Sequence, residues 1–445
     1  MRCIRWSGIV LIGIAVGVCS IAEESGAGLL FSDERAYEGY TLIAPISSIT
    51  TYLIDLAGNV VHQWESDAQA GNAVYLLEDG SLLRTEQIAP TGSRSFDRGG
   101  AGGRVRKIAP DSTVLWEFVL SNTAGRLHHD IEPLPNGNIL MIAWEAKSSE
   151  EAMAAGRDPA LLKDGELWPD RILEIEPIDP EGGRIVWEWH VWDHLIQEYD
   201  PSKKNYGDVS AHPELIDLNF THHGGPSDWN HTNAVAYNAQ LDQIALSVHE
   251  FSELWIIDHS TTTEEASGHA GGDSGRGGDL LYRWGNAQAY GAGTPRDQIL
   301  FGQHDVQWIS SGLPGAGNLL LFNNGFNRPG DAWSSVVELN PPIDGVGAYA
   351  LRLGMAYPPQ RPSWRYASAE IYSPNISGAQ RLTNGNTLIC SGAGGRLTEV
   401  TPGGDVVWIY VNPYATGQGK KLRQELFKVH RYEPDHPGIH SLLEG

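Results

Sequence analysis

Three histidines recur at one register of a repeated hairpin, and imidazole is the side chain that most readily changes protonation near neutral pH. The stretch His128–Leu140, "HHDIEPLPNGNIL", opens on histidine, runs on as strand and turns at Asn-Gly, the strongest short hairpin signal. Four more segments share that build: "NAVYLLEDGSLL", "HTNAVAYNAQLDQIAL", "HDVQWISSGLPGAGNLLL" and "SGAQRLTNGNTLI". Aligned on their turns, one position holds Asn72, His129, His231, His304 and Ser377 in chain order. Three converging imidazoles admit a nucleophile with its acid–base partners, a zinc site, or a purely structural role. Asp130 and Asp305 adjoin His129 and His304, but neighbours in a strand point to opposite faces. They are placed to orient a group rather than to ligate a metal, and no His-Glu-x-x-His spacing supports one. Gly-x-Ser-x-Gly, P-loop and dinucleotide fingerprints are missing too, so a histidine nucleophile is the preferred chemistry.

What would bring those positions together is a second repeat. "GNVVHQW", "STVLWEF", "GRIVWEW", "GDLLYRW", "GAYALRL" and "GDVVWIY" are each a turn residue, an apolar strand and a large closing side chain. Most follow a further strand such as "YLID", "RILEIEP", "LWIID", "SVVELNP" or "LTEVTP". Six outer hairpins alternating with inner ones predict an all-β, six-bladed propeller. Equivalent positions on its innermost strands then ring a central channel. One inner hairpin is missing, and "EGYTLIAP" at 38–45, which looks like "NGNTLICS", is expected to supply the closing strand of the last blade. Two insertions, about 145–170 and 190–220, interrupt the spacing. The first is charged, Ala-rich and expected to be helical, and both are expected to rim one channel mouth.

Bulk properties narrow the partners. A formal charge of −24 argues against nucleic acid and against anionic lipid. Arg2, Arg5 and "SGIVLIGIAVGVC" read as an export signal, with Ser20-Ile21-Ala22 as the cleavage site and residues 23–445 as the propeller. Cys19 follows Val18, a poor context for lipidation. Cleavage leaves Cys390 as the last cysteine, so no intramolecular disulfide forms, and no later stretch is apolar enough to span a bilayer.

The quoted segments "YLIDLAGNVVHQW", "HHDIEPLPNGNIL", "DWNHTNAV", "GQHDVQW" with "NLLLFNNG", and "HRYEPDHPG" resemble the bacterial arylsulfate sulfotransferase family, exported six-bladed propellers. The resemblance runs from about Gly39 to Gly438. It implies transfer of a sulfuryl group from an aryl sulfate ester to a phenol through a sulfated histidine, with no cofactor. It also implies a phenolic acceptor and a small aryl sulfate donor as partners. Matched residue by residue, His304 stands at the nucleophile and His129 at a second channel histidine. His231 and Asn233 match the groups that hold the sulfuryl oxygens. His249, His128, Asn72 and Ser377 complete the expected substrate-binding set. One departure stands out. Where the family has arginine in a "Ser-Arg-His" element this chain has "SVHE", with Val248 before His249. Either Arg283, Arg328 or Arg396 takes the place of that arginine, or the chemistry differs. The alternative function is a non-catalytic propeller that binds an anion or a protein at its channel mouth.

Overall fold

The computed structural model describes residues 26–92, 96–221, 226–344, 347–351, 354–414 and 423–443. The expected export signal at 1–22 lies outside the described residues. Among them, no helix is long and apolar enough to cross a membrane. Six antiparallel sheets of four or five strands are the blades of a six-bladed β-propeller, and two two-stranded ribbons lie in the insertions. Each blade is an inner hairpin followed by an outer one. In the third blade these are Gly125–Pro133 with Ile139–Glu145, then Asp170–Pro177 with Gly183–His190.

Closure of the ring differs from the sequence expectation. Tyr40–Ile43 does not join the last blade. It pairs with Thr50–Ile54 in the first blade, and the C-terminal strand His430–Tyr432 pairs on its other side. The split hairpin is thus shared by both ends of the chain. The last blade is complete without it and gains a fifth, outermost strand, Gly28–Ser32. In the fifth blade the outermost strand is Trp364–Ala367 rather than the expected "GAYALRL" at 347–353.

The recurrent aromatic at the end of each repeat has a physical reason. Indole Nε1 of Trp116 donates to Gly182 O (2.8 Å), Trp189 to Gly278 O (2.7 Å) and Trp284 to Pro359 O (2.7 Å). Trp364 reaches Pro402 O (3.1 Å) and Trp408 reaches Leu56 O (2.9 Å). Each acceptor lies between the two outer strands of the next blade, so the indoles staple five of the six blade junctions. At the sixth, His62 Nε2 sits 3.0 Å from Pro110 O.

The insertion expected to be helical has one short helix, Ser149–Ala154, started by a capping box between Ser148 and Glu151. It touches the channel rim through Asp164, 3.0 Å from Arg98. Residues 190–220 instead pack beside the fourth blade, where Leu215 O accepts from Arg283 (2.9 Å), and none of them lines the histidine cavity.

Candidate functional site

Pairing breaks register beside His129, His231 and His304: between Leu127 and Ile131 against Ala143 and Met141, between Thr232 and Ala234, and between His304 and Gln307. Such bulges re-aim side chains. His129, His231 and Ser377 have φ of 54°, 53° and 92°, whereas in the fifth blade Asp305, not His304, takes that conformation with φ 56°. The left-handed residue thus falls one position later in the fifth blade, and the His304 ring still lines the channel.

At that mouth lies a cavity of about 550 Å³ lined by His129, His231, His249, His304, Asn72 and Phe326. The four imidazoles form an arc, with ring centroids 4.5 Å apart from His129 to His231, 5.1 Å to His249 and 5.4 Å to His304. Phe427 closes the arc from below, 6.0 Å from His129 and 6.4 Å from His304.

The protonation of His304 follows from its neighbour. Asn324 donates both amide protons, to Ser373 O (2.9 Å) and Ile376 O (2.8 Å), which turns its oxygen toward His304 Nδ1 at 2.8 Å. An amide oxygen only accepts, so Nδ1 carries the proton and Nε2 keeps the lone pair. Burial, and then the nearby His249, hold the His304 imidazole well below its usual pKa, so it is uncharged at neutral pH.

His231 is the opposite case. Burial works against its charge, but Asp228, 2.5 Å away at Nδ1, overcomes that and pushes the pKa up to about 9. Asp228 is anchored in turn by Trp144 Nε1 at 2.8 Å. His129 stays neutral, lowered first by burial and then by the charge on His231. The deep site thus sets one charged imidazole, His231, in an arc with two uncharged ones, His129 and His304.

The remaining sequence candidates divide. His249 and Asn72 line the cavity, and His249 Nδ1 is held 3.0 Å from Glu250. Asn233 donates to Gln303 O (2.8 Å) and so tethers the residue before His304. Ser377 Oγ caps a backbone turn, accepting from Gly392 N (3.0 Å). His128 lies behind His129, stacked 4.0 Å from Trp144.

Val248 is fully buried in the apolar core, so its position offers an arginine no route to the cavity except through that core. None of the three arginines offered as substitutes reaches the site. Arg283 is ion-paired inside the fourth blade with Glu253, Arg328 lies 3.9 Å over Trp333, and Arg396 is 3.5 Å from Glu370. The cavity's own arginines are Arg98, Arg126 and Arg423, near the rim or engaged with backbone. His231 is the deep positive charge.

Three functional neighbours escaped the sequence reading. Asp228 and Asn324 lay inside quoted motifs, "DWNH" and "LFNNG", but nothing in their spacing showed their partners. Lys428 carried no signal at all. Its Nζ lies beneath the cavity, 2.8 Å from Asp130, 3.3 Å from Asp305 and 2.9 Å from Tyr75 Oη. These carboxylates do point away from the cavity, and they accept from Val235 N (3.3 Å) and Ala379 N (3.0 Å) of the following blades. A second cavity of about 530 Å³ opens at the opposite mouth beyond this layer, but none of the four arc histidines reaches it.

The metal-compatible cluster among the described residues is His194, His269 and Asp279, outside the cavity. Both Nδ1 atoms lie 2.7–2.9 Å from Asp279 Oδ1. Those are hydrogen-bond distances, tighter than ligand atoms spread around a zinc ion bound at about 2.0–2.2 Å.

No curated protein matches this chain. Among solved structures it is similar to a protein of unknown function from Bacteroides caccae, at 12% identity and TM-score 0.46, covering 88% of this chain and 98% of that one. It is also similar to the β-propeller domain of Swd1 from Myceliophteria thermophila, at 11% identity and TM-score 0.42, covering 87% and 90%. Virginiamycin B lyase from Staphylococcus aureus is a further match, at 11% identity and TM-score 0.37, covering 86% and 83%. The model of one family, the arylsulfotransferases (ASST), spans residues 32–403, most of the chain, and the protein belongs to that family.

Proposed function

We propose that this protein moves a sulfuryl group from an aryl sulfate ester to a phenol through a sulfohistidine at His304. The observation that carries this reading is the Asn324 contact, which leaves the lone pair on Nε2 of an imidazole that burial keeps uncharged, in the same arc as a charged His231. In the first half-reaction Nε2 bonds to sulfur while the sulfur–aryl oxygen bond breaks, and the phenolate departs. The imidazolium so formed keeps its Nδ1 proton on Asn324. In the second half-reaction the acceptor's oxygen bonds to sulfur and the nitrogen–sulfur bond breaks, restoring His304. His231 and His249 flank the position where charge builds on the sulfuryl oxygens, and a buried, preformed donor is most effective there. Phe326 offers an apolar face to the aryl ring.

Export with cleavage near Ala22 belongs to the same reading, and N-terminal analysis of secreted protein tests it. Incubation with p-nitrophenyl sulfate alone is expected to leave a sulfated peptide containing His304, and added phenol is expected to discharge it. His304→Ala abolishes transfer and retains the fold. His129→Ala and His231→Ala slow transfer by about 10²-fold. Transfer retained in His304→Ala removes the assignment. Anion binding without an adduct would point instead to the non-catalytic propeller.

A further inference from the structure

Behind His129, two buried groups have no part in the transfer described above. His128 Nδ1 lies 2.8 Å from His129 Nδ1. On its far side His128 Nε2 lies 3.2 Å from Asp170 Oδ1, within ion-pair distance, and neither of those two buried atoms has a hydrogen-bond partner. The other oxygen of Asp170 accepts from Thr232 N at 2.6 Å, which fixes the carboxylate. Trp144 stacks on His128 within 9° of parallel, which fixes the ring. Two imidazole nitrogens at 2.8 Å must share one proton, and a carboxylate facing Nε2 keeps a proton there.

We propose that Asp170, His128 and His129 form a proton relay that serves the phenolic oxygen in both half-reactions. The inference rests on the sulfuryl-transfer reading. In the loaded state His128 is an imidazolium against Asp170 and donates through Nδ1 to His129 Nδ1, so that His129 carries its own proton on Nε2. When phenolate leaves, it takes the Nε2 proton of His129, and the Nδ1 proton of His128 crosses to His129. His128 is then neutral, with its remaining proton on Nε2 toward Asp170. When the acceptor phenol attacks, its proton goes to His129 Nε2, the shared proton returns to His128, and the relay is loaded again. One proton leaves and one returns per cycle, with no net change.

The relay also answers a difficulty. Burial and the neighbouring His231 cation make His129 a poor place for a positive charge. Passing that charge to His128 moves it away from His231 and onto a carboxylate.

The test uses leaving-group acidity, because an acidic phenol needs no proton in order to depart. The full-length protein, His128→Phe and Asp170→Asn are compared with p-nitrophenyl sulfate and with phenyl sulfate, following phenol release before acceptor is added. In both variants the rate with phenyl sulfate is expected to fall by about 10²-fold relative to the rate with p-nitrophenyl sulfate, beyond any loss the two donors share. His128→Phe keeps the stack on Trp144, and Asp170→Asn keeps the acceptor for Thr232, so two differently conservative changes must agree. Equal losses with both donors, or no loss with either, overturn the relay and leave the sulfuryl-transfer reading intact. No p-nitrophenol from the parent protein overturns the transfer reading, and the relay with it.

Discussion

Asp228→Asn isolates the charge on His231 from its hydrogen bond. In the parent, Asp228 Oδ2 holds His231 Nδ1 at 2.5 Å while Oδ1 accepts from Trp144 at 2.8 Å. In the variant the amide oxygen keeps Trp144 and the amide nitrogen faces His231, which forces its proton to Nε2. His231 therefore still donates into the cavity, but as a neutral imidazole. A hydrogen bond from a charged donor is worth about 1.5–3 kcal/mol and a neutral one about 0.5–1.5 kcal/mol, so the loss is about 1–2 kcal/mol, roughly 5- to 30-fold in kcat/KM. The pH profile separates this from a fold defect. Parent activity should fall as pH rises through about 9, where His231 loses its proton. The variant should lack that limb and be slower at neutral pH. Stability follows the same sign. A histidine whose folded pKa is raised contributes stability that is fully present below its unfolded value of about 6.5 and is lost as pH rises through about 9. Stopped-flow release of p-nitrophenol from pH 6 to 10, beside urea melts at each pH, reads both effects. Parent-like rates at pH 7 in Asp228→Asn, or a parent profile level through 9, would refute the reasoning.

Two structural predictions test the frame around the site. Lys428→Met leaves Asp130 and Asp305 buried without their cation and should cost about 3–5 kcal/mol. Because burial already raises the Asp130 pKa, the variant's stability should fall as pH rises through that value, and adding Asp305→Asn should recover part of it in urea melts. Trp408→Phe removes the indole donor that ties the last blade to Leu56 O of the first, and should lower stability by about 1–2 kcal/mol without moving kcat.

Much of this molecule is legible in the sequence because a propeller writes its repeat twice, in turns and in closing aromatics. Six blades, the inner position of the histidines and the outward aim of Asp130 and Asp305 follow from period-two alternation and hairpin signals. The closure was half legible. Tyr40–Ile43 resembles a second inner strand, but its partner His430–Tyr432 is only three residues long and sits nearly 400 positions away, with no pattern to link them. The fifth outer strand was misplaced because "GAYALRL" has the right alternation while Trp364–Ala367 has the right neighbour. The offset at His304 is of another kind. A bulge adds one residue without changing composition, so an alignment on turns cannot see that Asp305 has taken the left-handed conformation. Long-range partners such as Lys428 are invisible for the same reason, since charge complementarity across blades leaves no spacing to read.

The loss of the family arginine is best understood through charge. At the rim, Arg98 faces Asp164 at 3.0 Å and Arg423 lies 3.6 Å from Glu425. Deep in the cavity the cation is His231, itself held by Asp228. A sulfate ester carries a single negative charge, and a phosphate monoester close to two near pH 7. One imidazolium backed by a carboxylate suits the first and undercompensates the second, in a chain whose formal charge of −24 already repels anions. An arginine would give permanent charge and a bidentate fork; His231 gives a charge that depends on Asp228 and on pH. The substitution at Val248 therefore does not empty the site of positive potential. It moves that potential onto a titratable ring in the same arc as His304, where the proposed attack by His304 and the proposed stabilisation by His231 require opposite protonation states. The two pKa values are driven apart by burial and the neighbouring His249 on one side and by Asp228 on the other, and the pH range between them is where the proposed transfer can run.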